Sequence, residues 1–168
     1  MPTTRTKDGY QKQVYDFIKD IYVVCPSCSR QAIVKTSQLS IGKKNDHDIK
    51  LICTKCGYNK HLAEKPDSVL HSSPYKIITG KYVIIGGAID PYFHLPLWLT
   101  INCCDNLLWA YNYEHLDFLK THIEAKLRER NNQEMSNKSL GSRLPKWMTS
   151  KKNREAILRG LTQLQNKV

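Results

Sequence analysis

Two Cys-x-x-Cys pairs, Cys25/Cys28 and Cys53/Cys56, constrain this chain more than any other feature of its sequence. A two-residue spacer lets one tight turn aim two sulfurs at the same point. Two such turns complete a tetrahedron, the geometry of a closed structural zinc site. Both pairs follow β-forming runs: Tyr22-Val23-Val24 leads into Cys25, and Lys50-Leu51-Ile52 leads into Cys53. Gly57, directly after the second pair, suits the backbone of such a turn. The 24 residues between Cys28 and Cys53 leave room for an extended hairpin. Ala32-Ile33-Val34 is expected to pair with Lys50-Leu51-Ile52, and residues 40–48, with Gly42-Lys43-Lys44-Asn45-Asp46, to form the tip. The expectation is one structural Zn²⁺ held by Cys25, Cys28, Cys53 and Cys56.

Two other uses of cysteine fit less well. A disulfide framework belongs to secreted chains, whereas residues 1–7 are polar and show no apolar signal-peptide core. That points to a cytoplasmic, reducing location, where metal wins over disulfide. A redox Cys-x-x-Cys uses one pair at a helix start, and here both pairs follow β-type segments.

Residues 22–62 resemble a zinc ribbon of the transcription-factor-IIB type. Three further stretches extend the likeness. They are Asp90-Pro91-Tyr92-Phe93-His94-Leu95-Pro96-Leu97-Trp98-Leu99 with Cys103-Cys104, then Leu108-Trp109-Ala110-Tyr111-Asn112, then Ser142-Arg143-Leu144-Pro145-Lys146-Trp147-Met148. Together they are similar to a group of small bacterial zinc-ribbon proteins with generic names. The resemblance covers most of the chain and implies zinc. It implies no particular activity, since ribbons serve transcription, replication, translation and protein contacts alike.

Charge is the second constraint. The 168 residues carry a formal net charge of +11, unevenly placed. Residues 25–65 hold +5 and residues 120–168 hold +8, while residues 66–119 hold −3. A mildly acidic middle between two basic ends suggests two polyanion-facing surfaces. No apolar run is long enough to span a membrane: Val83-Ile84-Ile85 stops at Gly86-Gly87, and Pro91 and Pro96 interrupt the next stretch.

The fold class expected is α+β, in four stretches. Residues 1–64 hold an amphipathic helix over 8–21 (Tyr10, Val14, Phe17, Ile18 and Ile21 at helical spacing) and the ribbon. Residues 65–74 have linker chemistry. Residues 75–131 hold strands near 76–79, 82–85, 97–102 and 107–111, with a turn at Asp105-Asn106, then a helix over 113–130 capped by Asn112. Leu116, Leu119, Ile123 and Leu127 form its buried stripe. Residues 132–168 are a basic segment ending in a helix over 150–166, capped by Ser150, with Ile157, Leu161 and Leu164 inward.

Candidate phosphate contacts on the ribbon rim are Arg30, Lys43, Lys44, Lys55 and Lys60, with Tyr58 and His61 nearby. Toward the C-terminus, Arg143, Lys146 and Trp147 precede Lys151, Lys152 and Arg154 in the first turn of the last helix. Cations there oppose the helix dipole, and an anion would relieve the conflict. Cys103 and Cys104 on one strand should point to opposite faces, and a second metal site with His94 or His115 matches no ligand spacing. Asp90 with Glu124-Ala125-Lys126 is a weak nuclease-like pattern, since Glu124 and Lys126 on one helix diverge. No phosphate-binding glycine loop and no Ser-His-Asp order is legible, so the reading leans away from an enzyme. It favours a non-catalytic, zinc-dependent protein that binds DNA or RNA. The alternatives are an adaptor docking a protein through the apolar stretch from Tyr92 to Trp98, and a metal-dependent nuclease.

Overall fold

Alternating burial explains the first sheet. In the computed structural model, which describes residues 5–6, 12–36, 49–63, 68–80, 84–125, 127–128 and 139–167, Arg5–Thr6 (β1) pairs in parallel with a short segment far down the chain. Asp20–Val24 (β2), Gln31–Lys35 (β3), Lys50–Ile52 (β4) and Asn59–His61 (β5) form a four-stranded antiparallel sheet in that order. Ile21 sits opposite Val34 and Val23 opposite Ala32; Val34 in turn faces Leu51. All five are buried, because a period of two sends every second side chain to one face. Phe17, Ile18, Ile49, Leu62, Tyr92, Leu97 and Tyr111 complete this first core, and Cys25 and Cys53 belong to it.

The second core stands on a hairpin and two helices. Leu99–Cys103 (β8) and Asn106–Ala110 (β9) pair tightly. Tyr113–Glu124 (α1) and Arg154–Gln165 (α4) pack against the hairpin and each other. Leu99, Leu108, Leu116, Leu119, Ile123, Ile157, Leu161 and Leu164 are buried together there. Each such leucine contributes roughly 2 kcal/mol by leaving water. Gly160 permits the approach of α4: a Cβ there would stand 3.3 Å from Leu108 Cδ2. Between the two sheets in sequence come Ser68–Ser73 (β6) and Lys76–Gly80 (β7), a hairpin with Val69, Tyr75 and Ile77 exposed. Leu127–Arg128 (β10) is the partner of β1, and Leu140–Arg143 (α2) and Lys146–Thr149 (α3) are single turns leading to α4.

Main-chain bonds join the two cores. The Trp98 amide donates to Tyr22 O (2.9 Å), the Tyr22 amide to Tyr111 O (2.8 Å) and the Val24 amide to Pro96 O (2.9 Å). The outer edge of β2 is thereby covered rather than left as a template for pairing. Asn112 does two jobs: its Oδ1 caps α1 by accepting from the His115 amide (2.8 Å), and its Nδ2 donates to Phe17 O (2.8 Å). Asp90 shapes the loop before β8. Its buried carboxylate accepts from the amides of Tyr92, Phe93 and Leu95.

Several expectations need correction. The described part of residues 8–21 is a 3₁₀ turn, Val14–Phe17, followed by extended chain from Asp20. Phe17, Ile18 and Ile21 are buried as expected, but β-branched Ile21, Val23 and Val24 are drawn into the sheet. Residues 68–73, expected as linker, are a strand. Residues 84–85 are not strand, and the rest of the strand placed at 82–85 lies outside the described residues, as does the hairpin tip at 40–48. Helix α1 ends at Glu124, and Leu127 belongs to β10. Ser150 makes no side-chain cap; a 3₁₀ turn at Lys151–Asn153 precedes α4. The hairpin turn is Cys104-Asp105, one residue earlier than read, with both residues in the left-handed region (φ 53° and 58°). No helix among the described residues is long and apolar enough to cross a membrane.

Candidate metal centre

Each Cys-x-x-Cys pair sits on the same small turn. In the first, the Cys25 amide donates to Arg30 O (2.7 Å) and the Ser29 amide to Cys25 O (2.9 Å). In the second, the Cys53 amide donates to Tyr58 O (2.8 Å) and the Gly57 amide to Cys53 O (3.0 Å). Ser29 (φ 58°) and Gly57 (φ 76°) hold equivalent left-handed positions. Strands β2 and β4 deliver the turns side by side because both pair with β3. The result is a crossed set of sulfurs: Cys25 Sγ lies 3.7 Å from Cys56 Sγ, and Cys28 Sγ lies 3.7 Å from Cys53 Sγ. All four fall within 4.8 Å of one another. A tetrahedral ion with metal–sulfur bonds of about 2.3 Å places its sulfurs about 3.8 Å apart. The four thiols therefore fit one ion.

Electrostatics favours a cation there. Burial opposes the Cys53 thiolate, but the amides of Cys56 and Lys55 and the thiols of Cys56 and Cys28 outweigh it and bring Cys53 down to about 7. At Cys28 the Arg30 backbone favours the thiolate, yet burial and the other three sulfurs push the thiol up to about 12. Four thiolates cannot crowd this closely without a positive charge among them, and a bound ion removes the conflict. Cys25 and Cys53 are buried, Cys28 is half-buried and Cys56 is exposed, so one face of the site meets solvent. Among the described residues this is the one group of three or more potential ligands close enough to hold a metal.

The basic residues divide between two surfaces. Arg30 and Lys55, one beside each cysteine turn, line an open groove of about 650 Å³. Trp98, Tyr113, Gln31 and the end of α4 (Gln165, Asn166, Lys167) complete it. Lys167 Nζ stands 4.5 Å over the Trp98 ring and donates to Trp98 O (2.6 Å); burial draws its pKa below the ordinary lysine value. Lys60 is exposed on β5, and Lys43 and Lys44 lie outside the described residues. The C-terminal set lies elsewhere. Arg143 and Trp147 line a second, mainly apolar cavity of about 500 Å³ with Trp109, His115 and Met148. Lys146, Lys151 and Lys152 are exposed and Arg154 half-buried near the start of α4, a helix about 18 Å long whose other end leads to Lys167. Trp147 packs against the second core, as its size favours.

Other sequence candidates take structural roles. The Asp90 carboxylate is fully engaged by three amides, and Glu124 is an exposed end of α1. His115 is buried and stacked on Phe17 (4.8 Å between centroids), and its Nδ1 accepts from the Tyr111 amide. Burial lowers its pKa to about 3. Tyr92 and Leu97, expected on a docking surface, are buried in the first core. Cys103 and Cys104 do not diverge: their sulfurs lie 3.6 Å apart, because Cys104 has left the strand for the turn.

Trp98, Tyr113 and Lys167 were missed as groove residues. Nothing local marks them, since the groove draws on positions from 30 to 167. No family model matches the chain, and no curated protein or solved structure is similar enough to count as a match.

Proposed function

We propose that this chain is a zinc-ribbon protein of the cytoplasm that binds nucleic acid without cleaving it. Zinc is the ion that a closed, all-cysteine tetrahedron suits best. An antiparallel sheet with a Cys-x-x-Cys turn at two strand ends supports the ribbon reading.

The observation that carries the nucleic-acid reading is the groove. Arg30 and Lys55 come from the two cysteine turns, and Trp98, Tyr113 and the end of α4 line the same channel. Cations spaced along an open channel match phosphates, and the half-buried rings of Trp98 and Tyr113 in its lining offer aromatic surface to unpaired bases. Single-stranded DNA or RNA is therefore the ligand class favoured. Lys60, Arg143, Lys146, Lys151, Lys152 and Arg154 add positive potential that steers a polyanion toward the chain without sequence preference.

The test is anisotropy of a labelled single-stranded oligonucleotide across a salt series. Arg30→Ala with Lys55→Ala should weaken binding about tenfold or more at low salt and reduce the log–log salt slope by about 0.7 per lost phosphate contact. Lys151→Ala with Lys152→Ala should weaken it less. Equal affinity and slope for wild type and the groove variant, with zinc content intact, would reject the groove as the binding site.

A further inference from the structure

Cys103 and Cys104 take no part in the metal centre or the groove. They stand at the tip of the β8–β9 hairpin, in the other half of the molecule. Cys103 ends β8 and is half-buried; a methyl on Gly160 of α4 would lie 3.9 Å from its sulfur. Cys104 opens the two-residue turn, with Asp105 after it, and both have positive φ. Such turns favour Asn-Gly or Asp-Gly, and a cysteine in the left-handed region carries a steric cost that glycine avoids. Asn106 Nδ2 donates to Cys104 O (2.6 Å), and Cys103 pairs with Asn106 across the hairpin, so the turn is held from both sides. Its shape sets the two sulfurs 3.6 Å apart, both half-buried.

That separation selects among bridging groups. A disulfide needs about 2.05 Å between sulfurs, so closing one would distort a turn already fixed by strand pairing. A linear two-coordinate ion with bonds of about 2.3 Å would need sulfurs about 4.6 Å apart, whereas a bent chelate with the same bonds spans this gap at an angle of about 103°. Such an angle suits pyramidal, three-coordinate arsenic(III). Four-coordinate zinc at this pair would have to fill its remaining positions with water, since among the described residues no third ligand group joins it.

We propose that Cys103 and Cys104 form a chelating site for trivalent arsenicals, separate from the four-cysteine centre. The reaction is a condensation. An arsonous acid, R–As(OH)₂, loses both As–O bonds and gains two As–S bonds, and each thiol proton leaves with a hydroxide as water. No electrons are exchanged. Burial first, and then Cys104, push the Cys103 thiol up to about 11. The condensation carries that proton away as water.

The experiment uses the full, zinc-loaded chain, reduced with a phosphine and titrated with phenylarsine oxide under native mass spectrometry. One phenylarsenic group per chain is expected, with zinc retained and the adduct on the peptide bearing Cys103 and Cys104. Cys103→Ser and Cys104→Ser should each lower apparent affinity about 100-fold or more, since one As–S bond without its chelate partner hydrolyses readily. Zinc content and melting of both variants are compared with wild type. Should either fail to fold, protection of Cys103 and Cys104 of the wild-type chain from iodoacetamide by the arsenical supplies the same evidence. Adducts on Cys25, Cys28, Cys53 or Cys56 with zinc release, affinity unchanged in the serine variants, or no adduct at all would overturn the proposal.

Discussion

Strands β2 to β5 and the hairpin β8–β9 are both short antiparallel structures with too little apolar surface of their own, and they are completed differently. The hairpin is roofed by α1 and α4, two twelve-residue helices that bring in Leu116, Leu119, Ile123, Ile157, Leu161 and Leu164. The core of the four-stranded sheet meets α1 at Phe17, which packs against His115 and Phe118. Its last two strands have three residues each, and two members of its core are Cys25 and Cys53. Where the second core closes with leucine, the first closes with sulfur. A metal ion held there would supply folding free energy that a small sheet lacks, whereas a side chain in the second core contributes by ordinary packing.

That contrast predicts unequal responses to single substitutions. Cys25→Ser should abolish stoichiometric metal binding and remove a contribution on the order of 10 kcal/mol. Amide exchange should then rise first in β2 to β4. Leu161→Ala should cost about 2–5 kcal/mol through a cavity in the second core, lower the melting temperature and leave metal content at one per chain. Equal metal content in the two variants, by elemental analysis, would break the comparison.

The junction between the cores should respond to acid. Folding holds His115 neutral, with its pKa lowered from 6.5 to about 3, while the unfolded chain protonates near the ordinary value. The unfolded state then binds the extra proton between those limits. Stability from this group is complete above pH 6.5 and declines as pH falls toward 3, by about 1.4 kcal/mol per unit. His115→Gln should flatten that slope between pH 6.5 and 5, measured by urea unfolding with zinc in excess. A slope identical to wild type would place the acid sensitivity elsewhere.

The smallest expected effect compares the two cysteine turns. They share one hydrogen-bond pattern but place Ser29 and Gly57 at the left-handed position. Gly57→Ala should cost roughly 1 kcal/mol, since a Cβ meets open space but an unfavourable φ. Ser29→Gly should change stability by a few tenths, because relief at φ 58° is offset by the entropy of glycine. Thermal melts of the two variants at fixed zinc read the difference.

The sequence exposed the parts of this molecule that are local. β-Branched runs ending at cysteine marked β2 and β4, and the leucine spacing of α1 and α4 marked their buried faces. Residues 14–21 were misread because Phe17, Ile18 and Ile21 fit a helical stripe as well as a turn that leads into a strand. Strand β6 carries Ser68, His71, Ser72 and Ser73, which read as linker, yet it pairs with β7. The Cys104-Asp105 turn escaped notice because neither residue is glycine. The four-cysteine cluster that could hold a metal was legible from spacing alone. Of the groove, only Arg30 and Lys55 were, since Trp98, Tyr113 and Lys167 reach it through the fold.

The most direct test of the central claim is the metal content and melting of the reduced chain before and after a strong zinc chelator. One zinc per chain, lost on chelation together with the cooperative melting of the N-terminal sheet and restored by adding zinc back, is the predicted result. A reduced, metal-free chain with the same melting curve and the same amide protection in β2 to β4 would contradict it.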